Sequence, residues 1–213
     1  MSSCHCAGCD SQFGNKHAEK DLKRYRDKGP DPTTRFLLDA IKTQGLQGAT
    51  LLDIGAGIGV IHHELLSAGA RSAVHVYATD ANLRLAEHEA SRQGHRDKVT
   101  FLGGDFVDLA REIAPADIVT LDRVICCYPD MEELVDASAA RARRLYGAVY
   151  PRERGLLKVW IFFDNLFRRI RGNPFETYIH PIAAIDTVLK RHGLERRWVR
   201  DTYAWRVAVY AHQ

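Results

Sequence analysis

Residues Leu51 to Gly59, LLDIGAGIG, constrain this chain more than any other stretch. An apolar run ends in Asp53, and glycine then recurs at every second position, Gly55, Gly57 and Gly59, with Ala56 inside the turn. A helical pattern follows at once in Val60, Ile61, Leu65 and Leu66. The segment reads as strand, tight turn and helix. Glycine permits positive φ and lets a ligand approach the backbone without a Cβ in the way, and a helix start offers unpaired N–H groups. The spacing is GxGxG, not the GxGxxG that cradles a pyrophosphate, and no GK[ST] follows. The acid before the turn would repel phosphates and suits a cationic ligand.

Around this turn, strand-like and helix-like patterns alternate. Thr50–Ile54, Ala73–Ala78, Val99–Leu102, Ile118–Leu121 and Ala148–Tyr150 read as strands. Val60–Ala68, Asn82–Gln93, Met131–Arg144, Gly155–Ile170 and Pro181–His192 read as helices. The last two strands, about Leu194–Arg200 and Tyr203–Ala211, have no helix between them. This pattern predicts an α/β fold, a doubly wound and mostly parallel seven-stranded sheet with an antiparallel C-terminal edge hairpin. Residues 1–47 form an N-terminal helical extension, with helices at Lys16–Lys28 and from Pro32 onward, and residues 48–213 form the main domain. In such a sheet ligands bind beyond the carboxyl ends of the strands.

DxGxGxG after a strand resembles the class I methyltransferases that use S-adenosylmethionine (SAM), whose sulfonium and ammonium groups are cationic. Rossmann-like architecture, the cofactor SAM and the product S-adenosylhomocysteine (SAH) are what that resemblance implies. It also implies cofactor contacts at Asp53, Gly55, Ala56, Gly57 and Gly59. Gly103-Gly104-Asp105-Phe106 is similar to the family's GD position, where Asp105 would accept from the adenine amino group and Phe106 would pack on the ring. The alternative for Asp105 is an ordinary helix N-cap. Asp122 and Arg123, after the fourth strand, would line the methionine region, with Cys126 and Cys127 nearby. The second strand departs from the pattern: the position of the ribose-binding carboxylate holds Tyr77, and Asp80 follows three residues later. A tyrosine hydroxyl cannot make the charge-assisted pair of hydrogen bonds that a carboxylate makes.

Beyond the cofactor half, Tyr150-Pro151-Arg152, the Phe162, Phe163 and Phe167 helix, and Tyr178-Ile179-His180 resemble the C-terminal half of magnesium-protoporphyrin O-methyltransferases. In that family the substrate is a porphyrin carboxylate, which is not carried over; the basic side chains and aromatic surface of this half would suit an acidic, flat or apolar small-molecule acceptor. O-methylation is expected before N-methylation. A carboxylate acceptor needs no general base; for a hydroxyl or amine, His180 and Tyr150 are the candidates. In the N-terminal extension Tyr25, Lys28 and Thr34 could reach the methionine carboxylate or the acceptor.

Charge is asymmetric. Residues 1–140 carry 15 basic and 21 acidic side chains, and residues 141–213 carry 15 and 6. A basic C-terminal third suits an acidic substrate, a nucleic acid or a membrane surface, or is a solvated face. Nucleic acid is the disfavoured partner, because no RNA-binding module and no Asn/Asp-Pro-Pro-Tyr type of motif accompanies the basic residues. An RNA or protein methyltransferase and a catalytically silent binding protein of the same fold are the alternatives, the latter favoured by Tyr77. With 46% hydrophobic residues, no apolar leader and no run approaching 18 apolar residues, the chain reads as a cytoplasmic protein without stable membrane insertion. The five cysteines read as reduced thiols. Cys4-His5-Cys6 and Cys9 have metal-ligand chemistry, but the spacing is cramped and no second pair completes a site, so no metal is expected. The oligomeric state is open.

Overall fold

The structure is a computed structural model and describes residues 12–213. Cys4, His5, Cys6 and Cys9 lie outside the described residues.

Two helices, α1 (Asn15–Lys28) and α2 (Pro32–Lys42), precede an alternation of strands and helices. The elements are β1 (Thr50–Ile54), α3 (Val60–Ser67), β2 (Ser72–Tyr77), α4 (Asp80–Arg92), β3 (Val99–Gly103), α5 (Phe106–Leu109) and β4 (Ala116–Asp122). They continue with α6 (Met131–Ala139), β5 (Ala142–Pro151), α7 (Gly155–Ile170), α8 (Ile182–Arg191), β6 (Leu194–Asp201) and β7 (Trp205–His212). The seven strands are ordered β3-β2-β1-β4-β5-β7-β6. All pairings are parallel except β5–β7 and β6–β7. The predicted doubly wound sheet with a C-terminal hairpin is therefore the observed one. Strand order reverses between β1 and β4, so the crevice beyond their carboxyl ends is the expected ligand position.

Each face of the sheet buries its own apolar layer. One layer joins Leu52, Val119, Tyr146 and Tyr210 to α6 and α8 through Leu134, Val135, Ile185 and Leu189. The other joins Leu51, Ile118, Val149 and Val207 to α2 and α3 through Leu37, Ile41, Ile61 and Leu65. Helix α2 thus shares a core with the sheet, whose first strand starts at Thr50. Helix α1 seats Ala18, Leu22 and Tyr25 on Ile58, next to the glycine turn.

One predicted boundary is overturned. The Met131–Arg144 helix stops at Ala139, and β5 starts at Ala142, six residues before the expected Ala148. The alanine- and arginine-rich run favours helix locally, but β5 lies between β4 and β7 and its backbone is paired on both sides from Leu145 onward. Tertiary pairing overrides local propensity here.

Candidate active site

The turn after β1 is built by three glycines that meet different demands. Gly55, Gly57 and Gly59 have φ of 63°, 56° and 87°, a region costly for residues with a Cβ. A Cβ on Gly55 would lie 2.4 Å from Val124 Cγ2, and one on Gly59 would lie 2.4 Å from the His62 ring. One on Gly57 would meet nothing within 4 Å. Gly55 and Gly59 therefore let the turn close against its neighbours, whereas Gly57 faces open space.

Asp53 is turned inward. It is 1% exposed; its Oδ1 accepts from the Thr120 hydroxyl at 2.8 Å, and its Oδ2 lies 3.2 Å from His62 Nδ1. Burial pushes its carboxyl up to about 6, against the pull of His75, the Thr120 hydroxyl and the His62 backbone N–H. The carboxylate thus braces the turn from beneath, and Asp53 also borders the cavity beyond the strand ends.

Beyond the strand ends opens a cavity of about 870 Å3, near the upper end of the range for small-molecule sites. At one end it is lined by Gly55, Ala56, Gly57, Tyr77, Gly104, Asp105, Phe106, Asp122 and Arg123. The sequence-predicted cofactor residues are thus brought together, with two exceptions. Gly59 caps α3, and Asp80 lies exposed in the first turn of α4; neither lines the cavity. Asp105 is the N-cap of α5, its Oδ1 accepting from Val107 N at 3.0 Å, and its carboxylate also accepts from the Tyr128 hydroxyl at 3.3 Å. Phe106 is 5% exposed and belongs mainly to the core.

Neither candidate base reaches the cavity. Tyr150 is buried in the core, its hydroxyl 2.8 Å from that of Tyr210, and burial pushes its pKa up to about 12. It belongs to the apolar layer between the sheet and α6 and α8. His180 donates from Nε2 to the Tyr128 carbonyl at 2.9 Å, stacks on Tyr178 and has its pKa lowered by burial. It braces the Tyr128 loop.

A network that sequence reasoning missed closes the cavity from the N-terminal side. The Thr34 hydroxyl donates to Asp122 Oδ2 at 2.5 Å. Arg123 reaches Asp122 Oδ1 at 3.1 Å and Asp31 Oδ2 at 3.2 Å, and Asp31 also pairs with Arg24. Arg123 has φ of 62°, the one non-glycine residue with positive φ among the described residues; such strain persists only where the surroundings hold it. The Asp31-Pro-Thr-Thr helix start was the available signal. Tyr25 and Thr34 line the cavity, and Lys28 does not. Replacing Arg123 by alanine should weaken cofactor binding by about 10-fold, while stability changes by less than about 1 kcal/mol because these pairs are solvent-accessible. Calorimetry against chemical unfolding checks the split.

The far end of the cavity is apolar and aromatic. Trp160, Ile161 and Leu157 of α7, with Phe175 and Trp205, form its walls, and Arg168 and Lys20 add positive charge. Arg168 is held by Asp164 at 2.5 Å and by Thr177, and lies 5.2 Å from the Phe175 ring centre. Cys126 and Cys127 line the floor, both thiols donating to the Arg123 carbonyl at 3.4 Å. No group of side chains suited to a metal ion occurs among the described residues.

The switch-point cavity, the DxGxGxG turn and the sheet order are those of the fold of class I SAM-dependent methyltransferases. Comparison with known proteins agrees. The family model of the methyltransferase small domain matches residues 23–121. Magnesium protoporphyrin IX methyltransferase (ChlM) from Synechocystis PCC 6803 with bound SAH superimposes with a TM-score of 0.74 at 18% identity, covering 98% of this chain and 100% of that one. An O-methyltransferase family protein from Burkholderia thailandensis gives 0.66 at 17% identity, covering 94% of this chain and 63% of that one. An O-methyltransferase family 2 protein from Planctomyces limnophilus, in complex with apigenin, gives 0.61 at 15% identity, covering 84% and 62%. No curated protein sequence matches. Among the described residues no helix is long and apolar enough to cross a membrane.

Proposed function

We propose that this chain methylates a small acidic or aromatic acceptor, at oxygen in preference to nitrogen. The carrying observation is the continuity of one cavity from the glycine turn to an aromatic, cation-bearing chamber under α7. The residues present fit the cofactor: Gly57 leaves open space that a Cβ would fill, and Asp105 lines the same cavity. Gly55 to Gly57 would hold the nucleoside from the backbone side, Gly104 and Asp105 its base, and Asp122 and Arg123 the methionine end.

When bound, SAM supplies an electrophilic methyl group on a good leaving group. The chain's own task is then alignment. Trp160, Phe175 and Trp205 would clamp a flat acceptor, Arg168 and Lys20 would hold its negative charge, and the Thr34–Asp122–Arg123–Asp31 network would exclude water. A carboxylate or ionised phenol presented this way needs no base, which agrees with the absence of His180 and Tyr150 from the cavity wall.

The test is transfer of labelled methyl from SAM to a panel of aromatic carboxylic acids, phenols and amines. Label should enter the acids or phenols and fall about 10-fold or more in Arg168→Ala, the scale of one lost charge-assisted contact. Label confined to amines or to RNA would overturn the acceptor reading. Tyr77→Asp, which restores a carboxylate at the end of β2, should preserve or tighten SAM binding; a large loss would show that the tyrosine makes a contact of its own.

A further inference from the structure

Helix α7 is amphipathic in the inverted sense. Three of its polar side chains are engaged by the protein: Asp164 pairs with Arg168, and Asn165 both donates to and accepts from the backbone of Thr177, at 2.8 and 2.9 Å. Its outward face is Leu156, Val159, Phe162, Phe163, Leu166, Phe167 and Ile170, each between 44% and 76% exposed. Tyr203, at the β6–β7 turn, extends this face beside the start of α7, where Arg154 lies over its ring. A contiguous apolar patch of this kind marks a docking surface.

Charge identifies the occupant. Residues 152–171 contain six basic and two acidic side chains. Both acids are engaged within the protein, Glu153 by Lys158 and the Ile182 N–H, and Asp164 by Arg168. Arg169 and Arg171 at the far end pair with no carboxylate among the described residues, and Arg171 lies 4.0 Å from the Phe167 ring centre. A second copy laid antiparallel on α7 would bring these arginines onto Arg154 and Lys158, and a parallel copy would bring them onto themselves. Like charges meet in either case, which disfavours pairing. The first eleven residues contain no Leu, Ile, Val, Phe, Tyr or Trp with which to cover the patch. Large apolar and aromatic side chains rimmed by arginine and lysine match a helix that lies in a membrane interface; here the protein body takes the place of the helix's polar face.

We infer that α7 and Tyr203 dock this protein on the surface of a bilayer that carries anionic headgroups. The test is flotation of the full chain with vesicles of phosphatidylglycerol and phosphatidylcholine, against phosphatidylcholine alone. The protein should float with the anionic vesicles about 10-fold more tightly, and raised salt should weaken the binding. Phe163→Glu with Phe167→Glu, and separately Arg169→Glu with Arg171→Glu, should each release it. Calorimetric SAH binding should be unchanged in both double variants, since none of these four side chains lines the cavity. Wild-type protein that stays with the soluble fraction overturns the inference. So does equal flotation of the double variants, or a wild-type dimer that Phe163→Glu with Phe167→Glu splits, which would give the face to a second copy.

Discussion

Gly57→Val is expected to lose at least about 100-fold in SAM affinity, roughly 3 kcal/mol, while the chain stays folded. The backbone there has φ of 56°, so any side chain pays a conformational penalty of about 1–2 kcal/mol. No packing clash adds to it, because nothing lies within 4 Å of the new Cβ. The valine instead projects into the open space beside the turn, where the cofactor must approach the backbone. Gly55→Val and Gly59→Val serve as contrasts: their side chains run into Val124 and His62, so both should lose stability together with binding. Calorimetry with SAH and urea unfolding separate the two effects. Wild-type affinity in Gly57→Val would remove the cofactor from this turn.

The second large effect is loss of stability in mild acid. His62, His63 and His75 are buried together beneath the turn, with Asp53, His95, Glu89 and Arg92 around them. His62 Nε2, His63 Nε2 and both nitrogens of His75 have no hydrogen-bond partner among the described residues. Burial, reinforced by neighbouring imidazoles, lowers the pKa of all three to about 3. In the unfolded chain they protonate near 6.5, so between those values the unfolded state binds more protons and stability falls as pH falls. Asp53 acts the other way, since its folded carboxyl is raised to about 6 and holds a proton that the unfolded one releases. Three groups against one leave a net loss of about 2 kcal/mol per pH unit between pH 6 and 4. Urea midpoints at pH 7, 6 and 5 measure this slope. His75→Leu removes one of the three and a pair of unsatisfied buried atoms, so it should flatten the slope and add about 1 kcal/mol at pH 7. An unchanged slope in that variant would contradict the assignment.

The glycine turn and the strand alternation were legible because they rest on local rules: backbone freedom at Gly55 to Gly59, period-two apolar runs, and the helix-free approach to the final hairpin. The sheet order and the gathering of Tyr77, Asp105, Asp122 and Arg123 at one end follow from them. Long-range pairing was less legible. The start of β5 is set by β4 and β7 rather than by its own arginine-rich residues, and the inward turn of Asp53 depends on Thr120, 67 residues away. The same holds for Asp31 and Arg123, which meet across 92 positions. Tyr150 was read as a candidate base at the end of the fifth strand, but β5 places it in the apolar layer under α6 and α8.

The most direct test of the central claim is calorimetric titration of the purified chain with SAH. One-to-one binding with a Kd of about 10 μM or tighter, lost in Gly57→Val and retained in Tyr77→Asp, is the result expected. No heat of binding from folded wild-type protein, or equal binding by Gly57→Val, would contradict it.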